Sequence, residues 1–125
     1  MRRSYKDLIV WRKAMDLVTE VYKATSVFPK NELYGLTTQL RRAAVSVPCN
    51  IAEGQGRLTR GEFQQFLGYA RGSIMEVETL TQISADLKLL PSTQSIQLQE
   101  RTAELGRILN GLLSAVRGSD QRSDH

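Results

Sequence analysis

Apolar residues recur three and four positions apart in four stretches of this chain, the period of a helix with one buried face. No stretch sustains the strict alternation of a half-buried strand, so the pattern predicts an all-α protein. The first stretch carries Leu8, Trp11, Met15, Val18 and Tyr22 and opens after Ser4 with Asp7 at the third helical position. It has to stop before Phe28-Pro29, because proline disfavours helical backbone in the residue ahead of it. The second carries Leu33, Leu36, Leu40, Ala43, Ala44, Val47 and Ile51, with Asn31 as its expected cap and Gly54 and Gly56 as its expected end. Pro48 falls inside it and removes the bond to the carbonyl of Ala44. The apolar phase nevertheless continues from Val47 to Ile51, which predicts one continuous helix kinked at Pro48.

The third start is marked by Thr59 and Glu62 at capping-box spacing, with Leu58 and Phe63 at the positions of a hydrophobic staple. That helix runs through Phe63, Phe66, Leu67, Ala70, Ile74, Val77, Leu80 and Ile83 toward Leu87, and Pro91 stops it. Gly68 and Gly72 share one stripe. Each disfavours the helix by about 1 kcal/mol relative to alanine, so a close approach by a neighbouring helix is expected there. The fourth stretch begins near Ser92 or Ser95, carries Leu98, Leu105, Leu109, Leu112 and Val116, and ends at Arg117-Gly118. Residues 119–125 lack an apolar period and read as a disordered polar tail.

Helices joined by short loops must run antiparallel to their sequence neighbours. The expected fold is an up-down-up-down antiparallel four-helix bundle forming a single domain over residues 1–118. Some stripes are broader than one core needs: the first helix adds Ile9, Val10, Leu17 and Val21, and the fourth adds Ile108 and Leu113. Self-association is the expectation that follows.

Composition narrows the functional classes. An apolar share of 41% and a charged share of 24% are ordinary for a globular domain, and no apolar run approaches the roughly 20 residues of a membrane span. Met1-Arg2-Arg3-Ser4 leads straight into amphipathic sequence without the features of a signal peptide, so a cytoplasmic protein is expected. The lone cysteine, Cys49, sits among Val47, Ile51 and Ala52 and reads as a small buried filler. The single histidine is His125, which leaves no Ser-His-Asp triad, Cys-His pair or Glu-x-x-His metal pair. Gly54-Gln55-Gly56 is too short for a phosphate-binding loop and lacks the Gly-Lys-Ser/Thr that would follow. Neither an enzyme nor a metal or other cofactor is expected.

Two polar features remain. Arg42, Ser46, Asn50 and Glu53 are spaced four, four and three apart on one face of the second helix, and Tyr69, Ser73 and Glu76, with Arg71 nearby, form a similar row on the third. If the rows meet, Arg42, Ser46, Asn50, Glu53, Arg71, Ser73 and Glu76 form a structural network that sets register or subunit pairing. The second feature is charge. Lys and Arg outnumber Asp and Glu by 17 to 13, for a net +4. In an up-down bundle Arg2, Arg3, Lys6, Arg57, Arg60, Arg117 and Arg122 converge on one pole, diluted by Asp7, Glu62, Asp120 and Asp124. Phosphate backbones are plausible partners for such a surface, with binding steeply dependent on salt.

Ser46-Val47-Pro48-Cys49-Asn50-Ile51-Ala52-Glu53-Gly54 and Phe66-Leu67-Gly68-Tyr69-Ala70-Arg71-Gly72-Ser73 together resemble a bacterial family of small four-helix-bundle proteins, the 23S rRNA intervening-sequence or S23-like proteins. Tyr5-Lys6-Asp7-Leu8 with Trp11, Phe28-Pro29 with Glu32-Leu33-Tyr34-Gly35-Leu36, and Gln39-Leu40-Arg41-Arg42-Ala43-Ala44 add to the similarity, which covers about Tyr5 to Val116. The resemblance implies a compact up-down bundle forming ring-like homo-oligomers, pentamers being expected, encoded in association with ribosomal RNA insertions. It also extends to an accessory protein of diversity-generating retroelements, a basic pentameric barrel that binds nucleic acid and a reverse transcriptase. The milder charge here weakens the transfer of strong nucleic-acid binding, and Cys49 stands where such proteins more often have a small hydroxyl residue. The leading expectation is a non-enzymatic, homo-oligomeric RNA-associated accessory protein using its basic pole, with Arg57 and Arg60 as the test residues. The alternative is a ring-shaped adaptor for a protein partner with no nucleic-acid role.

Overall fold

The computed structural model describes the backbone of residues 4–123 and their side chains except those of Asp7 and residues 119–123. Arg2, Arg3, Asp124 and His125 therefore lie outside the described residues, as do the side chains of Asp7, Asp120 and Arg122. The described chain is all-helical: α1 (Ile9–Thr25), α2 (Thr38–Gln55), α3 (Arg60–Asp86) and α4 (Ser92–Ser123), with short helical turns at Tyr5–Asp7, Lys30–Glu32 and Leu33–Thr37. One core unites them. It includes Val10, Leu17 and Val21 from α1, Leu40, Val47 and Ile51 from α2, Leu67, Ile74 and Val77 from α3, and Leu98, Leu105, Leu109 and Leu113 from α4.

Cross-helix contacts give the relative directions. Gly54 lies against Phe66 and Ser46 bonds Ser73, so α2 and α3 run in opposite senses. Lys13 pairs with Glu104 and Glu20 with Arg101, so α1 and α4 do too. The Lys13–Glu104 pair, 2.5 Å long, holds the Glu104 carboxyl below its ordinary value of 4.5, through the hydrogen bond and then the charge of Lys13. A lowered folded-state value stabilises the fold above the unfolded pKa, and that contribution disappears as pH falls through the folded one. Urea unfolding should therefore show the wild type's advantage over Glu104→Gln shrinking as pH drops below 4.5, and the advantage should also shrink in high salt, since the pair is solvated.

Several element ends differ from expectation. The first α-helix starts at Ile9, not after Ser4. Ser4 instead caps the separate turn Tyr5–Asp7, its Oγ accepting from the Lys6 amide at 3.2 Å. The second is preceded by a wide turn in which Gly35 leaves helical geometry (φ −113°, ψ −113°), and the Glu32 carboxylate, not Asn31, accepts the Leu36 amide. Pro48 is buried within α2, which continues unbroken to Gln55. The fourth helix does not stop at Arg117-Gly118. Its backbone continues to Ser123 through residues expected to form a tail, because Ser119-Asp120-Gln121-Arg122 includes no proline and one glycine is a modest obstacle to helix propagation.

The buried face of α1 also differs. Val10, Ala14, Leu17, Val21 and Ala24 are buried, whereas Met15 and Tyr22 are 42% and 43% exposed. Val10, Leu17 and Val21 of the supplementary stripe are thus the centre of the core face, with Leu8, Trp11 and Val18 of the expected stripe packed against its edge and Ile9 exposed. Cys49, expected to be buried, is exposed, since its neighbours Val47 and Pro48 occupy the inward positions. Gly68 and Gly72 face open space, with nothing within 4 Å of where a Cβ would stand. The close approach is at Gly54, where an added Cβ would lie 2.8 Å from Phe66 Cβ and 3.1 Å from Phe63 Cδ1.

Candidate nucleic-acid interface and polar network

The turn between α2 and α3 is built from its glycines outward. Gly56 closes α2 in right-handed geometry (φ −81°), its amide reaching the Ala52, Glu53 and Gly54 carbonyls. No left-handed glycine is needed, so the requirement for glycine falls on Gly54, which lets Phe63 and Phe66 of α3 seat directly on the α2 backbone. The start of α3 is capped as its spacing predicts: Thr59 Oγ1 accepts the Glu62 amide at 3.1 Å. The staple does not form. Leu58 is 87% exposed, because Phe63 packs toward Gly54.

Arg57 lies across this junction. Its guanidinium reaches Glu53 at 2.8 Å and Glu62 at 3.7 Å and stands 4.7 Å over the Phe66 ring. It therefore clasps the end of α2 to the start of α3 with its charge largely matched by carboxylates. Solvated pairs of this kind contribute at most about 1 kcal/mol. Arg60 is exposed in the first turn of α3, where a cation opposes the helix dipole. Arg57 and Arg60 share a shallow recess of about 240 Å³ with Gly54, Leu58, Thr59 and Phe63. Lys6 is exposed on the turn before α1 and Arg117 is exposed on α4, while Arg2 and Arg3 are outside the described residues.

The two polar rows meet at one point. Ser46 and Ser73 share a hydroxyl hydrogen bond between α2 and α3, and Asn50 Nδ2 donates to the Ser46 carbonyl at 2.8 Å within α2. Glu53 turns away to Arg57. Tyr69 receives a 2.7 Å bond from Gln65. Arg42, Arg71 and Glu76 are exposed, and no hydrogen bond or ion pair joins their side chains to any described residue. The geometry thus brings together Ser46, Asn50 and Ser73 and leaves the charged members at the surface. Sequence reasoning missed Arg41, which the fold places over Tyr22 and beside Thr25. No signal in the sequence marks it, since residues 16 and 19 positions apart become neighbours only through the register of α1 on α2.

Among the described residues no group of three or more His, Cys, Asp or Glu side chains is arranged to hold a metal ion, and no helix is long and apolar enough to cross a membrane. Comparison with known proteins bears on the family. No curated protein matches the sequence. Among solved structures, the chain is similar to a protein of unknown function from the S23 ribosomal protein family from Bacteroides thetaiotaomicron VPI-5482. The two are 19% identical with a TM-score of 0.75, over 84% of this chain and 98% of that one, a likeness of fold. Residues 6–111 match the family model described as 23S rRNA-intervening sequence protein. This span takes in both polar rows, the α2–α3 turn and parts of every helix that supplies the core, and the chain therefore belongs to the 23S rRNA-intervening sequence protein family.

Proposed function

We propose that this protein is a non-enzymatic, cytoplasmic, homo-oligomeric accessory protein that associates with RNA through basic residues at the α2–α3 pole. Family membership over residues 6–111 carries the reading. Arg60 supports it as an exposed cation in the first turn of α3 that shares a recess with Arg57. Arg57, clasped by Glu53 and Glu62, serves this surface chiefly by holding the turn in shape. Lys6 and Arg117 extend the same surface in the proposed arrangement; Arg2 and Arg3 lie outside the described residues.

Assembly into a ring, expected to be a pentamer, is supported by the outer face of α3. Gly68 and Gly72 have nothing against them although each disfavours the helix by about 1 kcal/mol, and Tyr69 and Met75 beside them are 50% and 53% exposed. A second copy seated there would use both the space and the apolar surface. Native mass with and without cellular RNA tests assembly and partner class together.

The interface is tested by filter binding of a structured RNA over a salt series. The wild type should bind with a steep salt dependence, and Arg57→Gln/Arg60→Gln should weaken binding and flatten the log–log salt slope by about 1 to 2, roughly one for each phosphate that is no longer neutralised. Salt-insensitive wild-type binding, or a double variant that binds like the wild type, would remove this reading.

A further inference from the structure

A second feature lies about 20 Å along α2 from its C-terminal turn, at 1.5 Å per residue. Between α1 and α2 opens a cavity of about 480 Å³ lined by Tyr22, Thr38, Arg41, Arg42, Val45 and Ser46. That volume lies in the range of small-molecule sites. Arg41 is fixed in it from two directions. Its Nε donates to Thr25 Oγ1 at 2.8 Å, and Thr25 is in turn oriented by donating to the Val21 carbonyl at 2.8 Å. Its guanidinium carbon stands 4.4 Å over the Tyr22 ring, a second contact that fixes its position. Among the described residues, the terminal nitrogens of Arg41 and the Arg42 side chain have no hydrogen-bond or ion-pair partner. The lining includes two guanidinium groups and no carboxylate. Glu76 lines an adjoining recess with Arg42 but forms no ion pair there.

A guanidinium already oriented by a hydroxyl and an aromatic face, with its outer donors uncommitted, is prepared for a planar or tetrahedral oxyanion. The rest of the wall is Tyr22, Val45 and the hydroxyl-bearing Thr38 and Ser46, and its aromatic and apolar part suits an aromatic ring and not a bare ion. We propose that this cavity binds a nucleoside phosphate, with the phosphate between Arg42 and the terminal nitrogens of Arg41 and the base against the Tyr22–Arg41 wall. The ligand can be a free nucleotide or one nucleotide of a single strand, because both present the same phosphate and the same ring. The site goes beyond the pole reading and does not depend on it, since Arg57 and Arg60 take no part in the cavity.

Calorimetric titration of the full chain with adenosine 5′-monophosphate, inorganic phosphate and a single-stranded oligoadenylate tests the proposal. Adenosine 5′-monophosphate or the oligonucleotide should bind saturably, and at least about tenfold more tightly than inorganic phosphate if the aromatic wall contributes. Arg41→Lys keeps the charge but loses the planar fork, and should weaken binding by about tenfold. Arg42→Gln, at an exposed residue without a partner among the described residues, should leave the fold intact and weaken binding similarly. Arg57→Gln/Arg60→Gln should bind adenosine 5′-monophosphate as the wild type does, so loss of RNA binding at the pole and loss of this site are separately visible. If the monophosphate competes with the oligonucleotide, both sources use the cavity; if one alone binds, it identifies the source. Absence of saturable binding by both, affinity for inorganic phosphate equal to that for the monophosphate, or unchanged affinity in both Arg41→Lys and Arg42→Gln would overturn the proposal.

Discussion

Leu17→Ala should destabilise the protein by about 2–5 kcal/mol in urea unfolding, while Met15→Ala, two positions away on the same helix, should change stability by no more than about 0.5 kcal/mol. Leu17 is 1% exposed and Met15 42%. Removing the Leu17 side chain leaves a cavity in a core that all four helices supply, and such a core relaxes only partly around a void. Truncating Met15 removes surface that water already reaches. Equal losses in the two variants would mean that α1 is rotated from the orientation described.

Gly54→Ala should also be destabilising, by about 1–3 kcal/mol, as expected for overpacking. The usual effect of this change inside a helix is a gain of up to about 1 kcal/mol. Its sign reverses here because the new methyl would lie 2.8 Å from Phe66 Cβ, an atom fixed to the α3 backbone that can retreat only if the helices separate. Gly72→Ala is the control. With nothing within 4 Å, it should stabilise the single chain by the ordinary helix-propensity gain, and it should lower native mass if a second copy packs closely on that face. Thermal and urea unfolding of the two variants, run beside native mass, separate the internal contact from the external one. A stabilised Gly54→Ala would show that α2 and α3 are not in close contact at that point.

These contrasts mark how far the sequence is legible. The all-helical class follows from apolar spacing, and the Thr59–Glu62 cap is legible because capping is a contact between residues three apart. Which face of α1 points inward is not. Leu8, Ile9, Val10, Trp11, Met15, Leu17, Val18, Val21 and Tyr22 cover so much of that helix and its approach that two stripes satisfy the period equally. The usable signal is size: Ala14 and Ala24 share a face with Val10, Leu17 and Val21, and small residues mark where another helix comes close. The same ambiguity affects Gly68 and Gly72, whose spacing resembles that of a close contact although the close contact is at Gly54.

For the candidate sites, the polar rows are readable as rows because the helical repeat places residues three and four apart on one side. Whether their side chains bond depends on distances between helices, and these join Ser46 to Ser73 while Glu53 turns toward Arg57. Local spacing alone thus determined the helices, their principal breaks and the presence of a basic turn after α2, because each of those is set by residues within a few positions of one another. The tertiary structure decided which glycine is indispensable, which carboxylates occupy Arg57, and that Tyr22, Thr25 and Arg41 converge beside one cavity, because those outcomes depend on the rotation and register of whole helices, which the packing of the entire core sets at once.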